Sequence, residues 1–416
     1  MKPWKIFNTF VYKVGVYFAV PAFLSWRVME EVCMRETKAI LLALLIASMV
    51  LASGCTGGGT ATGSPSPTTS SQPSTSEPET TTTPEPSTWE MKIVWSADTT
   101  GIPFMDMNPD GSLSAAIDWN RGLLYLVEPH GSNTTLNLRK DEGEIQPVVS
   151  SVAVVGDQVW VLASYEGFAG IRIFSWNGLA GEERHGGPGA VADYMLRSPS
   201  GNHVCYLVTV SPTEQELHCD GEKITLTPDD YDLKSVSDSG LVVLSEKDNA
   251  FVFKDGGRIL TFNTSRVLAY RDKLLVSENG KLRIFSEDGK LLAEGRYPFD
   301  QTILLKWTLI PTGRYLLWHE PFGDTHLLTW NLTEIGTLPG FPYFANENFA
   351  VTSKDGVIHC YSLKDLHEVF SVKVPGDSLG YIKLSDDGKV MLVSGETGGF
   401  WLYTAENVTF KYDKNQ

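Results

Sequence analysis

Cysteines, histidines and carboxylates are the groups in this chain that could do chemistry, and their spacing decides which chemistry to consider. Cys205 and Cys219 flank a segment whose middle, around Pro212, reads as a turn, and a hairpin centred there sets the two thiols opposite each other. That pairing leaves three readings open: a disulfide, two buried free thiols if the register slips by one residue, or a metal site shared with His203. Cys360 lies on the apolar run Val357-Ile-His-Cys-Tyr361 with no evident partner and reads as core. His319-Glu320, with His326 nearby, would suit a metal or an acid/base site, although polar side chains packed around a hairpin loop account for the same residues. No His-Glu-x-x-His, Cys-x-x-Cys, nucleophile elbow or phosphate loop occurs. No catalytic residue, no metal ligand and no cofactor is therefore assigned. A carboxylate pair for cleaving a glycan would be recognised by separation in space, which spacing along the chain does not show.

Cys55 suggests a different thiol chemistry. It ends Leu51-Ala-Ser-Gly-Cys55, behind a short charged stretch at Arg35 and Lys38 and the apolar segment Ala39 to Ala52. That segment falls short of the roughly 20 residues a transmembrane helix needs. Residues 34–54 accordingly read as an export signal cut ahead of Cys55, which becomes the new N-terminus and carries lipid. Residues 1–33 fit poorly before such a signal, so they are either an extra N-terminal segment or the result of a start placed too early, with Met34 the true one. Residues 55–88 are almost entirely Ser, Thr, Pro, Gly and Glu, too poor in large apolar groups to offset the entropy of ordering, and form a disordered tether. The Leu-Ala-Ser-Gly-Cys box, Gly57-Gly58-Gly59 and the Thr/Pro tract together resemble exported lipoproteins, archaeal surface lipoproteins in particular. The resemblance implies an extracytoplasmic protein anchored to the cell membrane.

Charge narrows the partners. The whole chain carries 34 Lys plus Arg against 50 Asp plus Glu; residues 1–54 hold six basic and three acidic side chains, which leaves 28 against 47, or a net −19. Such a surface repels nucleic-acid phosphates and anionic headgroups, so nucleic acid is excluded as a partner and the lipid, not the domain's charge, holds the protein at a membrane.

The elements that must position these groups repeat along 89–416. Short apolar strands alternate with tight turns, and eight units can be counted. Their first turns are Pro109-Asp-Gly111, Val155-Gly156-Asp157, Pro199-Ser-Gly201, Asp238-Ser-Gly240, Arg271-Asp272-Lys273, Pro311-Thr-Gly313, Asn346-Glu-Asn348 and Asp386-Asp-Gly388. The spacing is about forty residues, the length of one four-stranded repeat. Each turn leads into a strand such as Val159-Trp-Val-Leu-Ala163 or Val390-Met-Leu-Val-Ser394, and a second apolar strand follows, such as Ile171-Arg-Ile-Phe-Ser175. This series resembles the blades of WD40-like and quinoprotein-like β-propellers. It departs from the strict WD40 pattern, since no Gly-His opens a unit and no Trp-Asp closes one; Trp176-Asn177 and Trp330-Asn331 are distant echoes. Thr397-Gly398 with Trp401 approaches the quinone-site signature once only, so no quinone is carried over. The fold expected is all-β, a single propeller of about eight four-stranded blades with seven the next choice. Met91-Lys-Ile-Val-Trp95 has no place in the first unit and is expected to close the ring by pairing into the last blade.

With strands running from the centre outward, first-hairpin turns lie on one face, while unit-to-unit links and middle hairpins lie on the other. That second face would gather Asp98, Asp141, Glu142, Asp229, Asp230, Asp232, Asp300 and Asp377, with longer loops around Phe168, His185, Pro212, Phe299 and Phe322. Variable loops on a rigid scaffold commonly carry function. Acids mixed with aromatics could meet a basic protein, a cation or a sugar. Sequons at Asn133, Asn263, Asn331 and Asn407 offer N-glycosylation sites. The functional expectation is a binding or protein-interaction platform at the membrane surface. A propeller-type glycan hydrolase or lyase, or a sugar receptor serving a transporter, is the alternative.

Overall fold

The computed structural model describes residues 89–99, 104–139, 143–227, 230–296, 309–319, 323–373, 376, 378–396 and 398–406. Cys55, Asp141, Glu142, Asp229, Phe299, Asp300, Glu320, Phe322, Asp377, Thr397 and Asn407 lie outside them, as do residues 1–88. Every regular element among the described residues is a β-strand, and the strands form eight antiparallel four-stranded sheets.

These sheets are the blades of a propeller. Blade 1 covers 104–137, blade 2 148–185, blade 3 191–226, blade 4 232–262, blade 5 267–296, blade 6 309–338 and blade 7 341–373; blade 8 takes 379–405 and borrows Met91–Ala97 as its outermost strand. Within blades 1 to 7 the strands, a to d, follow chain order from the centre outward, and in blade 8 strands a to c do, with Met91–Ala97 as strand d. First strands of neighbouring blades touch, which sets them around the axis. The count is eight, so the seven-bladed possibility is excluded, and all eight first turns read from the sequence fall between strands a and b.

Burial explains which strands announce themselves. Strand b has neighbouring blades on both sides, so both faces are covered and successive residues are buried, with unbroken apolar runs such as Val390 to Val393 and Val242 to Leu244. Strand d alternates, as in Asn133–Asn137, because one face meets solvent. One apolar cluster fills each seam between blades: Leu124, Val161 and Phe174 lie between blades 1 and 2, and Cys360, Phe370 and Met391 between blades 7 and 8. Cys360 is fully buried there, and burial pushes its thiol well above the ordinary range.

The a–b turns share a local design. Ser198, Ser237, Thr312, Asn346 and Ser385 each accept, through the side-chain oxygen, a hydrogen bond from a backbone N–H three to five residues on. Turns are then tied to one another. Asn108 Nδ2 donates to the Gly156 carbonyl at 2.6 Å, Ser200 N to Asp238 Oδ1 at 2.8 Å, Asn348 Nδ2 to the Asp386 carbonyl at 2.9 Å, and Asp386 N to the Pro109 carbonyl at 2.6 Å. Glu347 of blade 7 reaches across blade 6 to pair with Arg271 at 2.6 Å and to accept from Tyr270 of blade 5. Its carboxylate passes where a β-carbon on Gly313 would stand, so glycine leaves room for the Glu347–Arg271 pair.

Closure comes from Met91–Ala97, antiparallel to Phe400–Ala405 with Met91 opposite Ala405, Ala97 opposite Phe400, and a bulge between Ile93 and Trp95. Trp89 N donates to the Val369 carbonyl of blade 7 at 2.8 Å, so the clasp also grips the neighbouring blade. Deleting 89–97 leaves strand c of blade 8 as an open edge and uncovers the apolar surface that Met91 and Trp95 pack against. A loss of about 5 kcal/mol, at about 2 °C per kcal/mol for a large domain, is expected to lower the melting temperature by about 10 °C or more. An unchanged melting curve would contradict this closure.

Candidate functional site

The two faces of the ring differ. Among the described residues, the blade-to-blade links leave strand d and enter strand a on the face opposite the a–b turns. On this loop face the exposed large apolar side chains include Trp119 (41%), Ile145 (63%), Val148 (38%) and Phe341 (38%). Trp119 sits in the b–c turn of blade 1, and its carbonyl accepts a hydrogen bond from Gln146 Nε2, which ties the segment carrying Ile145 and Val148 to that turn. Of the acids expected here, Asp98 and Asp230 are exposed, and Asp232 pairs with Lys234 at 3.4 Å. They do not converge: Asp98 lies between blades 8 and 1, whereas Asp230 and Asp232 lie between blades 3 and 4. Phe168, expected among the loop aromatics, is buried and stacked on Tyr165, with ring centroids 4.8 Å apart.

The b–c hairpin of blade 3 concentrates the chemistry. Val204–Ser211 pairs with Glu214–Cys219 so that Cys205 faces Cys219 and Tyr206 faces His218. The two cysteines are joined as a disulfide with Cα atoms 4.2 Å apart, packed with Leu207 and Leu217 toward blade 4. His203 turns away from them to Asp220, with Nδ1 2.6 Å from Oδ2.

The opposite face of the same hairpin looks at blade 2 and meets His185, the last residue of its strand d. His185, Glu216 and His218 place one ligand atom each within 4.8 Å of one another, and each side chain is only 12% exposed. Glu216 Oε2 lies 3.0 Å from His218 Nε2 and 3.6 Å from His185 Nδ1, while Lys223 Nζ donates to Oε1 at 2.9 Å. Tyr206 OH sits 3.0 Å from His185 Nε2 and donates to Glu183 Oε2 at 2.8 Å. The His218 ring lies parallel to Tyr206, 3° between planes, with centroids 4.8 Å apart. Burial and then the neighbouring His218 hold the His185 imidazole below its usual value. Burial opposes ionisation of Glu216, but Lys223 and His218 outweigh it and hold its carboxyl low. These three residues are the described set able to hold a metal. Sequence reading placed His185 only in a loop and passed over the pair; the available signal was Glu216-Leu-His218, since alternate residues of a strand share a face.

His319 and His326 do not form a joint site. His326 is opposite Trp318 and His319 opposite Thr325, so the two imidazoles lie on opposite faces of blade 6. His326 pairs with Glu334 at 2.7 Å, and His319 packs edge-on to Phe341 with burial driving its pKa down to about 4. Asn133, Asn263 and Asn331 are exposed.

Eight four-stranded blades closed by the N-terminal strand define a WD40-like β-propeller. The C-terminal WD40 domain of Sif2 has the same architecture, with a TM-score of 0.54 at 15% identity over 76% of this chain and 99% of that one. No family profile matches the chain. It is 55% identical over 323 residues to an uncharacterised protein of Archaeoglobus fulgidus, covering 77% of this chain and 91% of that protein, and it belongs to the same family.

The other buried charges tie the ring together. Asp106 of blade 1 takes Lys383 of blade 8 at 3.1 Å, Arg197 of blade 3 at 3.3 Å and the Val154 amide of blade 2 at 2.9 Å. Burial works to raise its pKa, but Lys383 and Arg197 prevail and hold it below 3.8. Asp106→Asn leaves the two cations facing each other and should cost about 3 kcal/mol near neutral pH. A carboxyl with a depressed folded pKa stabilises above its unfolded value and loses that contribution as pH falls. The gap between wild type and variant in urea unfolding should therefore narrow below pH 3.8; a gap independent of pH would refute the role.

Proposed function

We propose that the protein is a binding module, held at the outer face of the cell membrane by lipid on Cys55, that offers its loop face to a protein partner. The observation that carries this reading is the inequality of the two faces. The a–b turns are short and hydrogen-bonded to one another, whereas the opposite face carries the exposed apolar side chains of Trp119, Ile145 and Val148, with the 143–148 segment tied to the Trp119 turn through Gln146. Exposed apolar groups rimmed by charge are the usual form of a protein-binding patch. A net charge of −19 once residues 1–54 are removed, from 28 basic and 47 acidic side chains, favours a basic partner. Exposure of Asn133, Asn263 and Asn331 suits N-glycosylation after export.

The test is affinity purification of the full-length protein from gently solubilised native membranes, beside a Trp119→Ser/Ile145→Ser variant that melts like wild type. A partner held by wild type, released by added salt and reduced about tenfold or more in the variant is expected, as for loss of an aromatic anchor. Equal recovery with the variant would sink the loop-face assignment. In the same preparation Cys55→Ala should move to the soluble fraction, and its persistence with membranes would remove the lipid from the proposal.

A further inference from the structure

We infer that His185, Glu216 and His218 form a site for a divalent transition-metal ion, zinc being the best fit, in the seam between blades 2 and 3. Two imidazoles and one carboxylate are a borderline-soft N₂O donor set, suited to zinc rather than to magnesium or calcium, which take oxygen ligands. Ligand atoms that sit about 2.0–2.1 Å from zinc in a tetrahedron are about 3.3 Å from each other. The separations of 3.0 Å and 3.6 Å from Glu216 Oε2 bracket that value, so ring adjustments of a few tenths of an ångström complete the geometry on the two edges that are fixed.

The surrounding hydrogen bonds point the same way. Tyr206 gives its proton to Glu183 Oε2, so its oxygen must accept from His185 Nε2–H. That assigns the His185 proton to Nε2 and leaves a lone pair on Nδ1, directed at the lone pairs of Glu216 Oε2. Two lone pairs facing across a half-buried gap repel unless a cation lies between them. A carboxylate acting through Tyr206 to fix the tautomer of His185 is the outer-shell pattern that orients metal-ligating histidines. Lys223 occupies Glu216 Oε1, which leaves Oε2, the oxygen that both histidines face, as the atom for one-point ligation. His218 already points Nε2 at Oε2; it ligates as the Nδ1–H tautomer, and the parallel Tyr206 ring holds its plane. With three protein ligands, the fourth position is left to water or to a donor from a partner.

The ion would join strand d of blade 2 to strand c of blade 3 near the loop face. This differs from the scattered His–carboxylate pairs elsewhere, such as His326 with Glu334 or His359 with Glu368, which supply one imidazole each.

The experiment uses the full-length detergent-solubilised protein, stripped with chelator and titrated with zinc by calorimetry and with cobalt by visible absorption. One ion per chain is expected, with the intense tetrahedral cobalt spectrum and a higher melting temperature on loading. Glu216→Gln and His218→Ala should each abolish that spectrum while the metal-free protein melts as wild type does. Tyr206→Phe should keep the spectrum and weaken affinity about 10–100-fold, the range for an outer-shell partner. Should His218→Ala fail to fold, Glu216→Gln and Tyr206→Phe decide alone. No stoichiometric binding, an octahedral cobalt spectrum, or binding unaltered in Glu216→Gln overturns the site. None of these readouts depends on a protein partner, so the binding proposal can fail separately.

Discussion

A propeller exists only if the two ends of its chain meet, and here seven residues, Met91–Ala97, make that junction. Every seam between blades is an apolar interface of modest size, and each holds firmly only because the blades beyond it cannot swing away. The ties on the a–b side apply the same constraint by polar means. Asp106 collects groups from blades 8, 2 and 3, and Glu347 reaches over blade 6 to blade 5, so the turns are coupled beyond nearest neighbours. The buried carboxylate of Asp106 is tolerated because cations and a backbone amide meet it, without which burial would neutralise or expel it.

Much of this fold was legible in the sequence because strand b of each blade has both faces covered. Val159 to Ala163 and Val390 to Ser394 stood out for that reason, and the Gly/Asp/Asn turns ahead of them fixed the repeat. The clasp was legible by elimination, as a strand with no hairpin partner. The cross-ring ties were not. Asp106 and Lys383 are far apart in sequence, and nothing local to either distinguishes it from a solvated charge. The Ser, Thr or Asn ahead of five of the eight a–b turns was present in the sequence but unremarked, since its meaning is the side-chain bond to a later amide.

The same limit explains the candidate sites. Assigning loops to faces followed from strand order alone, yet the acids so assigned are spread around the ring, because face is set by parity while angular position is set by blade number. Phe168 illustrates the gap between a loop position and an available side chain: it begins a strand but turns inward onto Tyr165. His185 was unreadable as a ligand because its companions belong to the next blade, and only the folded seam brings the three together.

Why this chemistry gathers on one hairpin follows from register. Side chains alternate across a strand, so pairing Cys205 with Cys219 necessarily pairs Tyr206 with His218 on the other face. A slip of strand c by one residue would send His218 and Glu216 into the apolar seam with blade 4 and turn Cys219 toward blade 2, away from Cys205. The covalent link on one face thus fixes the arrangement of polar groups on the other, and Leu217 between Glu216 and His218 anchors the strand in the core that both must avoid. His185, arriving from blade 2, then meets groups whose positions are already set, so the geometry of the seam depends on how blades 2 and 3 pack. That packing is held in turn by the closure of the ring.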